Sequence, residues 1–178
     1  MRACGFRTTV GTNHYTPDVA ERNREAIMPE TADVVIRPIE ASDRRAWEPL
    51  WASYLSFYER TVARDVTEFT WTRLTSTREV RGLIAIGADG GALGVVHYLF
   101  HASTWNMGGN CYLQDLFVTP ASRGRRIGRR LIEAVVQAAK KEGAAVVYWQ
   151  TEEFNGTARR LYERVAKRSP FVRYDVAL

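Results

Sequence analysis

The chain has 178 residues, 46% apolar and 25% charged, with a formal net charge of +5. That size fits one domain with a buried core, and that composition argues against a disordered or fibrous chain. No apolar run approaches the roughly 20 residues that cross a bilayer, and the two cysteines, Cys4 and Cys111, make neither a disulfide framework nor a metal spacing.

The expected compartment is therefore reducing and cytoplasmic. Met1 to Glu30 carries no apolar core of the signal-peptide kind. Residues 1–32 are polar, without sustained periodicity, and read as an N-terminal extension. Residues 33–178 read as the folded domain. Residues 33–39 read as a first strand, with Pro38 near its end. Ser42 then reads as a helix N-cap. Trp47, Leu50, Trp51, Tyr54, Leu55 and Tyr58 follow at i, i+3, i+4, i+7, i+8 and i+11, one face of an amphipathic helix that Pro49 should kink. A shorter helix near 65–75 carries Val66, Phe69 and Leu74.

Strands at 80–88 and 92–101 are joined by Asp89-Gly90-Gly91, a hairpin signal. A loop from Thr104 to Asn110 leads to a strand at 111–118, which Pro120 ends. Ile127 to Lys141 is helical, with Gly143 suited to the position past its C-terminus. Residues 144–151 form a continuous apolar run, as in a strand buried on both faces. Asn155 caps a last helix, and 171–177 reads as a last strand. The expected fold is a mixed α/β (α+β) architecture: a mostly antiparallel twisted sheet with helices on both faces.

The chemistry concentrates between the 111–118 strand and the helix that follows. A helix N-terminus offers unpaired N–H groups and partial positive charge. Gly124 and Gly128 let backbone approach an anion closely. Arg123, Arg125, Arg126, Arg129 and Arg130 place five cations within eight residues. This reads as a di- or polyphosphate site, or as a solvated basic helix start or nucleic-acid patch. A Walker loop is excluded, because the Gly-Lys-Ser/Thr ending is missing. A nucleic-acid surface would spread its cations with interleaved aromatics. Here they cluster at one loop, and Glu133, Glu142, Glu152, Glu153 and Glu163 intervene.

Tyr112-Leu113-Gln114-Asp115-Leu116-Phe117-Val118, then Arg123 to Gly128, then Asn155, Ala158, Leu161 and Tyr162 together resemble the GNAT N-acetyltransferase superfamily. The nearest likeness is to the polyamine and diamine acetyltransferases and the yeast histone-and-polyamine branch. In that family the loop runs Arg/Gln-x-x-Gly-x-Gly/Ala. Here Arg123 opens it and Gly128 closes it, while Arg126 replaces the middle glycine. The resemblance implies acetyl-CoA as co-substrate, with its pyrophosphate on Arg123, Gly124, Arg125, Arg126, Ile127, Gly128 and Arg129. It implies that the backbone of Leu116, Phe117 and Val118 pairs with the pantetheine arm, near Asn155 and Ala158. A bulge in that strand would aim an N–H at the acetyl oxygen. Arg126 either tightens the backbone cradle or turns toward the cofactor's 3′-phosphate, on an ordinary backbone.

Amine acetylation needs an ammonium to lose its proton, a donor for the carbonyl oxygen and an acid for the thiolate. The resemblance makes Tyr162 that acid; by pattern alone it is a packing residue. Polyamine acetyltransferases carry a glutamate where Gln114 stands, and an amide cannot take a proton. Asp115 and His97, with His101 on the same face, are the remaining proton acceptors; structural histidines and deprotonation through water alone are the alternatives. Tyr54 and Tyr58 read as acceptor-pocket residues, since aromatic faces attract cations. Trp47 and Trp51 read as core. Gln114 and Glu152 complete the expected acceptor contacts. The expected acceptor is a small amine or polyamine; a protein lysine and a catalytically silent acetyl-CoA binder are the alternatives. A homodimer through the C-terminal strand is also expected.

Overall fold

The computed structural model describes residues 34–177. The expected extension over 1–32 lies outside them. Five strands form one sheet in the order β1-β2-β3-β4-β5. They are β1 (Val35–Pro38), β2 (Arg81–Ile86), β3 (Ala92–His101), β4 (Asn110–Val118) and β5 (Val146–Tyr148). The first three pairings are antiparallel and β4–β5 is parallel. Among the described residues the α-helices are α1 (Arg44–Phe57), α2 (Arg64–Thr72), α3 (Ile127–Lys141) and α4 (Gly156–Val165).

Strand alternation sends side chains to two separate cores. On one face Trp47, Leu50 and Trp51 of α1 meet Ile84, Val95 and Phe117 of the sheet. On the other, Leu131, Ile132 and Val135 of α3 meet Leu83, Ala85, Val96, Tyr98 and Leu113. Leu161, Tyr162 and Val165 of α4 pack against this second core. Helices thus cover both faces, as the sequence pattern predicts.

Several expectations change. Asp43, not Ser42, is the N-cap of α1. Its carboxylate accepts from the Glu40 N–H at 2.8 Å and from Arg37 at 2.6 and 2.8 Å. In α2, Val66 and Phe69 are exposed, whereas Leu74 is buried beyond the helix in a π-turn, Arg73–Thr77.

Strand β5 is three residues long and lies at the sheet edge, with Val146 exposed, so it is not buried on both faces. No strand forms over 171–177. Phe171, Val172, Tyr174 and Val176 carry strand propensity, but propensity needs an edge to pair with. The short β5 does not take up this segment. Arg173 instead reaches past its end to Gln150 at 2.6 Å, and Phe171 N–H turns back to Ser169.

Candidate active site

The site is built where β4 changes partners. Toward β3, Tyr98 pairs with Leu113 and His97 with Asp115, so Gln114 has no opposite residue. This two-against-one count is a β-bulge. It leaves Gln114 exposed and rotates Asp115 onto the α1 face beside His97. The bulge falls at Gln114, just before the Leu116–Val118 stretch for which it was expected.

Toward β5, only Asn110, Cys111 and Tyr112 are paired. From Leu113 to Val118 that edge has no strand partner among the described residues. Its free N–H and C=O groups offer the ladder an extended ligand arm requires. A shallow groove between Ala52, Ser53, Ser56 and Phe57 of α1 and Phe117, Pro120 and Arg123 adjoins its far end.

Asp115 is nearly buried, and His97 wholly so. The His97 Nδ1 lies 2.9 Å from Asp115 Oδ2, and Trp47 Nε1–H donates to His97 Nε2 at 2.9 Å. Both ring nitrogens are therefore used inside the protein. Tyr54 lies near Asp115; burial first, then the Asp115 charge, push its hydroxyl well above the usual tyrosine range. Tyr54 and Tyr58 stand edge to face at 5.1 Å, and Tyr112 stacks on Tyr148 at 4.9 Å. Burial first, with the Asp115 charge among the lesser causes, raises the Tyr112 hydroxyl, and Tyr112 in turn helps to raise Tyr54. His101 lies apart from this cluster, on the Tyr148 hydroxyl at 3.0 Å.

Tyr162 of α4 packs against the α3-side core and lies near Tyr58. Burial, then the nearby Tyr58, push its hydroxyl up to about 12. Its ring meets Trp149 edge to face at 5.4 Å. Asn155 caps α4 through its side-chain oxygen, which accepts from Ala158 N–H at 3.3 Å, and its amide donates to Thr151 at 3.2 Å. Glu152 is exposed on the loop before the helix.

The arginine loop makes its turn with two left-handed residues, Gly124 at φ 82° and Arg126 at φ 58°. Arg126, the N-cap of α3, thus adopts the conformation a glycine would hold without strain, not an ordinary one. Its side chain is exposed. The five arginines divide. Arg123 leans on the Val118 carbonyl, Arg129 pairs with Glu133 at 2.7 Å, and Arg130 donates to the Val34 carbonyl at 2.7 Å. The Nε of Arg125 is buried without a hydrogen-bond partner. An orphaned cationic donor beside the free N–H groups of a helix N-terminus fits a phosphate group, the ligand the loop was expected to hold.

Residues 39–166 match the family described as Acetyltransferase (GNAT) family. The D-amino-acid N-acetyltransferase HPA3 of Saccharomyces cerevisiae is 35% identical over 143 residues, covering 79% of this chain and 89% of that protein. The thialysine N-epsilon-acetyltransferase of Bos taurus is 36% identical over 66 residues, 37% of this chain and 38% of that one. The aminoglycoside N-acetyltransferase AAC(6')-Iy, solved in complex with CoA, superposes with a TM-score of 0.71 at 17% identity, covering 85% of this chain and 99% of that chain. The chain belongs to the GNAT acetyltransferase family. It is an N-acetyltransferase, and its acetyl donor is acetyl-CoA.

Proposed function

We propose that this GNAT-family enzyme acetylates the primary amine of a small molecule, by direct attack in a ternary complex. The observation that carries the reading is a carboxylate, Asp115, set among Tyr54, Tyr58 and Tyr112 beside the unpaired edge of β4. Carboxylate and aromatic faces together attract an ammonium. The names of the relatives agree in kind: one acts on D-amino acids, another on thialysine.

Acetyl-CoA, when bound, supplies an activated thioester. Arg123, Gly124, Arg125, Ile127 and Gly128 hold its pyrophosphate, with Arg126 and Arg129 adding charge at the rim. The free edge at Leu116, Phe117 and Val118 aligns the pantetheine arm, with Asn155 and Ala158 at the start of α4 closing its other side. Asp115 holds the ammonium and draws off its proton, freeing the nitrogen lone pair to attack the carbonyl carbon. Tyr162 keeps its phenolic proton through neutral pH and hands it to the departing sulfur as the C–S bond breaks, and its phenolate takes the second proton that the nitrogen sheds on becoming the amide. Gln114, on the bulge, and Glu152, on the loop before α4, flank the entry and select the acceptor's outer part.

A thiol-release screen tests this. The panel holds diamines, polyamines, D- and L-amino acids, thialysine, aminoglycosides and a lysine-rich peptide. Turnover concentrated on one class of small amine is expected. Faster turnover of the peptide than of every small amine overturns the reading in favour of a protein-lysine enzyme.

We also read the enzyme as a cytoplasmic homodimer. Phe171, Val172, Tyr174 and Val176 are at least 73% exposed, and Phe171 lies 6.2 Å from the equally exposed Trp105. A ridge of that kind on one chain calls for a covering partner. Sedimentation equilibrium of the native chain and of a Phe171→Ser/Tyr174→Ser variant decides it: a native monomer ends the dimer reading.

A further inference from the structure

His97 has a single ring proton to place when neutral, and its neighbours leave one position for it. The indole N–H of Trp47 can only donate, so Nε2, 2.9 Å away, carries a lone pair. The proton sits on Nδ1 and donates to Asp115 Oδ2. The imidazole is wholly buried between Trp47, Trp51 and the sheet, and Trp47 is itself wholly buried. The ionisable groups around this chain are Asp115 on β4, Tyr54 on α1, Tyr58 at the C-cap of α1, and Tyr112 on β4. Arg44 lies 5.4 Å over the Trp47 and Trp71 rings, where Glu48 and Glu68 hold it.

We propose that His97 is a positioning residue rather than a base: the Trp47 indole locks it in the Nδ1–H tautomer, and that N–H holds the Asp115 carboxylate for the acceptor. A second proton would have to enter at Nε2, where the indole N–H already stands. An imidazolium there would neutralise Asp115 and repel the incoming ammonium. This rests on the proposal that Asp115 receives the amine.

The first measurement needs no substrate. Nitrogen-15 NMR of the resting enzyme should show His97 protonated at Nδ1 only, unchanged from about pH 5.5 to 8. An Nε2–H tautomer, or an imidazolium appearing in that range, overturns the lock whatever the acceptor turns out to be. The second measurement is the acceptor KM of Trp47→Phe, which keeps an aromatic ring and removes the donor. It should rise about tenfold as pH falls from about 7.5 to 5.5, with the acetyl-CoA KM constant, because His97 can now charge. The native enzyme should show no such step. His97→Asn, which keeps a donor near the Nδ1 position, should hold the acceptor KM within about threefold of native, whereas His97→Leu raises it at every pH. Parallel pH profiles for native enzyme and Trp47→Phe overturn the proposal. If no amine is turned over while the tautomer stands, the failure lies with the acceptor assignment and not with the lock.

Discussion

Leu161 of α4 rests on Gly128 of α3: a Cβ built on Gly128 would stand 3.3 Å from Leu161 Cδ2 and 3.7 Å from Val118 Cγ2. One residue therefore joins the phosphate loop to the helix that carries Tyr162. The glycine serves close packing here as much as backbone freedom, since Gly128 already lies within α3. Gly128→Val places two further methyl groups in that contact. Overpacking of this kind costs about 1–3 kcal/mol. The variant should lose that much in denaturant unfolding. Its kcat should fall and its acetyl-CoA KM should rise together, because α4 and the loop move as one. A rise in KM with kcat intact would mean that α4 is not displaced.

Arg126 stores strain at the same loop. A non-glycine residue at φ 58° costs about 1–2 kcal/mol relative to glycine. Arg126→Gly should raise the melting temperature by about 2–8 °C for a chain of this size. The same change removes an exposed cation from the phosphate site, so the acetyl-CoA KM should rise as stability does. Greater stability with an unchanged KM would show that the guanidinium makes no contact with the cofactor's phosphates. The sequence pattern led to an ordinary backbone at this position; the left-handed turn is kept, and arginine bears its cost.

Local signals were legible along the chain and long-range pairings were not. The face from Trp47 to Tyr58 and the periodicity of 127–141 identify α1 and α3, because helical contacts recur every three or four residues. The capping role of Asn155 is equally local. The bulge at Gln114 is invisible in β4 alone, since it exists only as a count against β3. Trp47 and His97 lie 50 residues apart, and His97 and Asp115 lie 18 apart, so no spacing links the three. The segment 171–177 shows the reverse error: Phe171, Val172, Tyr174 and Val176 look like a strand, but no edge of this sheet pairs with them.

Asp43 ties the entry of α1 to β1. Its carboxylate is buried and accepts bonds from both Arg37 Nη atoms and from the Glu40 N–H. The Arg37 bond, then the Glu40 N–H, outweigh desolvation and hold its pKa below the usual aspartate value. A lowered folded-state pKa contributes stability above the unfolded value, about 3.9, and loses it as pH falls through the folded one. Asp43→Asn should therefore cost about 1–3 kcal/mol at pH 7. The gap between variant and native should narrow below about pH 4. A gap independent of pH would assign the loss to shape rather than charge.

Tyr162 has a hydroxyl raised to about 12 by burial and by Tyr58, and a ring held against Trp149. Raising the folded pKa above the ordinary tyrosine value, about 10, favours the neutral form in the folded state. That contribution is complete below pH 10 and is lost as pH climbs toward 12, so the proton is in place throughout the working range. Tyr162→Phe keeps the ring and removes only the proton. The kcat plateau should fall about 10²-fold, the usual scale for a positioned acid. The acetyl-CoA KM and the melting temperature should stay near native, because the packing against Trp149 survives. Any alkaline limb of the native kcat profile below pH 11 should remain where it is in the variant, since Tyr162 does not ionise there. An undiminished plateau would reduce Tyr162 to a packing residue and leave the departing sulfur to be protonated by water.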